Sequence, residues 1–65
     1  MKYYIIQVDG RTVGCIEILD REILDRLYQV SLVKPFASAH VPSFSDAISF
    51  AKIFFPELEV GDATD

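Results

Sequence analysis

The sequence predicts an α+β fold: a small antiparallel sheet of three to four strands, opened by an N-terminal β-hairpin, with one C-terminal amphipathic helix packed on it. Three observations predict it. Asp9-Gly10 stands between two runs rich in β-branched and aromatic residues. Tyr28 to Lys34 alternates apolar and polar side chains. Ser43 to Pro56 carries helical spacing and helix punctuation at both ends.

Tyr3 to Val8 reads as the first strand. Asp9-Gly10 suits a two-residue type I′ turn, because both central residues need positive φ. Val13 to Leu19 returns. A plain two-residue loop pairs Val8 with Arg11, Ile6 with Val13, Tyr4 with Cys15 and Lys2 with Glu17. The last pair is a favourable cross-strand contact of opposite charges. In that register Tyr3, Ile5, Ile16 and Ile18 share the other face with Gly14. Both faces of the hairpin are then apolar. A two-layer sheet ordinarily shows one face to water, so the second face needs a cover.

Asp20 to Leu27 reads as a short helix or a turn. Leu19, Ile23, Leu24 and Leu27 sit at helical spacing, and Arg21–Asp25 and Glu22–Arg26 are pairs four apart. Eight residues hold a helix only with tertiary support. Tyr28 to Lys34 is the third strand, ended by Pro35. Phe36 to Pro42 is a loop or an irregular edge strand between prolines. Glu57 to Val60 alternates and suits a short fourth strand. One domain spans 1–60, and 61–65 is an acidic, frayed C-terminal tail.

The helix begins after Pro42 and stops at Pro56, since proline cannot donate an interior helical bond. Ser43 is the N-cap, with Asp46 three residues on. Asp46 and Lys52 each complement the helix end they lie near. At about 100° per residue, Phe44, Ala47, Ile48, Ala51 and Phe55 form the core stripe, and Phe50 and Phe54 widen one flank. Ile53 falls on the polar side with Ser45, Ser49 and Lys52.

Composition narrows the function. A chain of 65 residues, 51% of them apolar, has more apolar surface than one small globule hides, which points to a homodimer or other homo-oligomer. One cysteine excludes an internal disulfide framework, and with one histidine it excludes the usual structural zinc sites. No signal peptide or membrane-length apolar run is visible, so the expected location is cytoplasmic, with no membrane contact. The formal charge of −4 disfavours a nucleic-acid surface and suits a basic protein partner.

No motif calls for a cofactor or a metal. Gly10 and Gly14 make no phosphate loop or dinucleotide fingerprint. Asp20, Glu22 and Asp25 lack the alternation and central glycine of a calcium loop. His40 has no catalytic partner at a telling spacing and reads as structural or exposed. Cys15 reads as a small apolar strand residue. No catalytic set emerges.

M-K-Y-Y-I-I-Q-V-D-G and S-F-S-D-A-I-S-F-A-K faintly resemble the N-terminal half of HicB-type antitoxins, although the Pro-Gly segment of that family is absent. Ala39 to Val60 looks somewhat like small phage proteins that inhibit host RNA polymerase. Each resemblance covers part of the chain, and neither implies membership.

The preferred function is a non-enzymatic interaction module: a regulator, inhibitor or adaptor of the kind a phage or mobile element encodes, occupying a partner protein's surface. Tyr4, Phe36, Phe50 and Ile53 are the expected contacts, with Asp20, Glu22 and Asp25 steering a basic partner. The alternative is a nucleic-acid-binding module that uses the sheet face.

Overall fold

A computed structural model describes residues 2–19 and 27–64. The elements are β1 (Lys2–Val8), β2 (Arg11–Leu19), β3 (Leu27–Leu32), β4 (Ala37–Val41), α1 (Phe44–Phe54) and β5 (Glu59–Thr64). The described strands form one antiparallel sheet in the order β4-β3-β2-β1-β5, with α1 packed on one face over β3 and β4. The α+β class stands, with two more ladders than the hairpin and third strand alone provide.

The Asp9-Gly10 turn forms as the sequence predicts, with φ of 52° and 78° at the two residues. The register beyond it does not. A β-bulge falls after Ile6: Gln7 pairs with Thr12 but Ile6 pairs with Gly14, which leaves Val13 as the extra residue. Every later partner slips by one, so Tyr4 meets Ile16, Ile5 meets Cys15 and Tyr3 meets Glu17. Because strand side chains alternate, a one-residue slip exchanges faces. Ile16 and Gly14 therefore join Tyr4 and Ile6, not Tyr3 and Ile5. The expected Lys2–Glu17 pairing does not form, because Glu17 lies opposite Tyr3.

Gly14 explains why the bulge is tolerated here. A Cβ on Gly14 would collide with the Ser31 carbonyl oxygen and lie 2.8 Å from Leu32 Cδ2. Leu32, opposite Gly14, fills the space a side chain would take. The Val13 carbonyl accepts from the Val33 N–H at 2.8 Å, so the bulged residue's oxygen still has a partner.

β3 ends at Leu32, two residues short of the expected strand. Residues 33–36 turn the chain, with Lys34 at φ 54° and the Lys34–Pro35 bond cis. Ala37–Val41 is then a regular edge strand paired with β3, which settles the loop-or-strand alternative. Its alanines and serine have weak strand preference. Pairing supplies what propensity does not. The supposed tail is also corrected: Gly61 to Thr64 continue β5, antiparallel to β1. An edge strand tolerates Gly61 and Asp62 because one side of it needs no partner strand. The expected helix or turn over Asp20 to Leu27 lies outside the described residues, except that Leu27 opens β3.

α1 runs as punctuated. Ser43 has extended backbone, and its Oγ accepts from the Asp46 N–H at 3.0 Å. The Phe55 N–H donates to the Ala51 carbonyl at 2.9 Å, and Pro56 follows. Ala47 and Ala51 are fully buried, and their small size lets the helix approach β3 and β4 closely. The core comprises Ile6, Val13, Ile16, Val30, Leu32, Ala47 and Ala51. Burying each large aliphatic side chain there contributes about 1.5–3 kcal/mol before entropy is counted.

Candidate functional site

The helix has two unlike flanks. At about 100° per residue, Phe44, Ile48 and Phe55 fall on one side of the buried alanines, and Phe50 and Phe54 on the other. Phe44 fixes which is which. Its ring lies 4.8 Å from that of Tyr4 on β1 and 6.0 Å from that of Tyr28 on β3. That flank leans toward the middle of the sheet. Since α1 sits over β3 and β4, the opposite flank leans toward the β4 edge.

The β4-side flank is where apolar surface emerges. Phe50 and Phe54 pack edge to face with ring centroids 5.5 Å apart, and Phe54 is 37% exposed. Ile53, further out on the same side, is 73% exposed. Phe36, in the turn before β4, is 82% exposed, with Val33 beside it in the same turn. A hollow of about 330 Å³ opens next to it, lined by Ser31, Leu32, Phe36, Ala37 and Ser38. The large apolar residues most exposed among those described thus belong to two elements that adjoin β4.

Of the expected contacts, Phe36 and Ile53 face solvent. Phe50 is half-buried and supports Phe54 from below. Tyr4 lies under the helix against Phe44, half-buried, so its ring serves the core. Asp20, Glu22 and Asp25 lie outside the described residues. Val33 and Phe54 were not among the expected contacts. Pro35 was the available signal for Val33, because it ends the strand and turns the chain outward. Phe54 carried no such signal, since its wheel position matches a core flank.

The sheet face turned away from α1 is mixed. By register it gathers Tyr3, Ile5, Cys15, Leu19 and Leu27 with Gln7, Glu17, Gln29, Ser31, Ser38, His40 and Glu59. Burial, and then the neighbouring Glu17 carboxylate, hold the Cys15 thiol above its ordinary pKa. A thiol shifted that way is a poor nucleophile near neutral pH. His40 is exposed on β4 opposite Gln29. Among the described residues, no group of three His, Cys, Asp or Glu side chains could hold a metal ion, and no buried side-chain polar atom lacks a hydrogen bond. Among the described residues, no helix is long and apolar enough to cross a membrane.

Comparison with known proteins finds no family model, no curated protein and no solved structure that matches this chain.

Proposed function

We propose that this chain is a small non-enzymatic protein–protein interaction module. It acts in the cytoplasm as a regulator, inhibitor or adaptor by occupying a partner's surface. The observation that carries the reading is the exposure of Phe36 in the turn before β4 and of Ile53 on the outer side of α1, 82% and 73% respectively. Large apolar side chains left this exposed on elements flanking one strand favour a protein contact. The formal charge of −4 favours a basic partner, with Asp20, Glu22 and Asp25 contributing to its approach.

A nucleic-acid reader would set aromatic rings among cations. Here Tyr3 shares the open sheet face with Glu17 and Glu59, and among the described side chains the cations Arg11, Lys34 and Lys52 lie apart, in β2, the turn before β4 and α1. The sheet-face nucleic-acid reading is therefore the weaker one.

The test compares proteins captured from host lysate by the native chain and by the F36S/I53S variant. Both positions are exposed, so the variant keeps its fold, checked by circular dichroism. The expected outcome is a specific partner whose affinity falls roughly tenfold or more in the variant. Equal capture by both proteins would remove the reading.

A further inference from the structure

We propose that β4 is a self-pairing edge: two copies join β4 to β4, antiparallel about a two-fold axis at Ala39, and make one continuous sheet. The inference rests on the interaction-module reading in one respect, that the apolar surface beside β4 is a contact surface. It adds the occupant, a second copy of this chain.

The two edges of the sheet are built differently. β5, E-V-G-D-A-T, carries Glu59, Asp62 and the strand-weakening Gly61. Charges and glycine are devices that keep an exposed edge from pairing. β4, A-S-A-H-V, has no Asp, Glu, Lys, Arg or Pro between its first and last residue. Pro35 and Pro42 fall outside it. Its outer backbone donors and acceptors form an unguarded row next to the exposed apolar residues.

The strand also matches itself. Centred on Ala39, antiparallel pairing sets Ser38 of one copy against His40 of the other, and Ala37 against Val41. No like charges meet. Ala37, Ala39 and Val41 lie on the helix side of both copies, and Ser38 and His40 on the open side, so each layer continues across the seam. One step beyond the strand, Phe36 of one copy falls at Pro42 of the other. The hollow beside Phe36 and Ala37 lies at the end of β4 that receives Val41 and Pro42 of the second copy. Above the seam, the Phe50–Phe54 flanks of two antiparallel helices lean toward each other. A foreign peptide strand could use the same backbone row, but the side-chain match is two-fold.

The experiment is analytical ultracentrifugation of the purified native chain from about 1 μM to about 1 mM, with two variants at exposed positions. S38K/H40K puts lysine opposite lysine on both sides of the axis. S38K/H40E puts lysine opposite glutamate at the same places. The native chain is expected to dimerise. S38K/H40K should raise the dissociation constant roughly tenfold, more at low salt, and S38K/H40E should return it to the native value or below. A native chain that stays monomeric throughout overturns the proposal, as does a dimer indifferent to S38K/H40K. Equal weakening by both variants overturns it too, because the 38–40 pairing would then be wrong. A monomer that still loses its lysate partner in F36S/I53S overturns self-pairing and leaves the interaction-module reading standing.

Discussion

The face of the sheet under α1 and the face turned away from it share the same strands but differ in kind. Under the helix, Ile6, Ile16 and Val30 are fully buried, and Leu32 nearly so. On the far side, Tyr3, Ile5, Cys15, Leu19 and Leu27 are each half-buried beside Glu17 and Gln29. The residue types overlap, with isoleucine and tyrosine on both. Position relative to the bulge at Val13 decides which isoleucine becomes core. The comparison teaches that apolar content alone did not say which face the helix would take.

Substitutions can break or sharpen that contrast. Ile16→Ala on the covered face should have the largest effect, a loss of about 4 kcal/mol, because its site cannot collapse around a fully buried gap. Urea denaturation would show this as a lower midpoint or as a chain already unfolded in water. Gly14→Ala should come next, at about 2 kcal/mol, since the new methyl group forces the β3 backbone or Leu32 to move. The same urea curves measure it. Ile5→Ala, on the open face opposite Cys15 and Gly61, should cost about 1 kcal/mol or less. If its cost approaches that of Ile16→Ala, the open face is covered in solution, and the contrast between the faces disappears.

What could be read from the sequence follows from how local each signal is. The helix was legible because Ser43, Asp46, Lys52 and the two prolines are short-range signals, and the Ser43 cap forms as expected. The Asp9-Gly10 turn was legible for the same reason. The bulge was not, because its cause is non-local: Leu32 from another strand occupies the space beside Gly14. A glycine inside a strand does signal a bulge or a close backbone approach, and Gly14 was that signal. β4 and the second half of β5 were read as loop and tail because alanine, serine, glycine and aspartate carry little strand preference. Their neighbours β3 and β1 impose the extended form. At the candidate site, the exposure of Phe36 and Ile53 was legible from the flanking prolines and the wheel position. Tyr4 was expected as a contact because the sequence does not say which face of the hairpin α1 covers; it covers the Tyr4 face, and the ring packs on Phe44.

The strand order has a kinetic consequence. β1 lies between β2 and β5, so the first strand of the chain is completed by the last, with Lys2 meeting Thr64 and Gln7 meeting Glu59. The hairpin at Asp9-Gly10 can close early and cheaply, within about 1–10 μs. The final ladder must wait for almost the whole chain to be gathered, and the entropy of closing so long a loop is spent before its contacts return anything. Until then the outer side of β1 is a bare edge, so a nascent copy is stickier than a finished one.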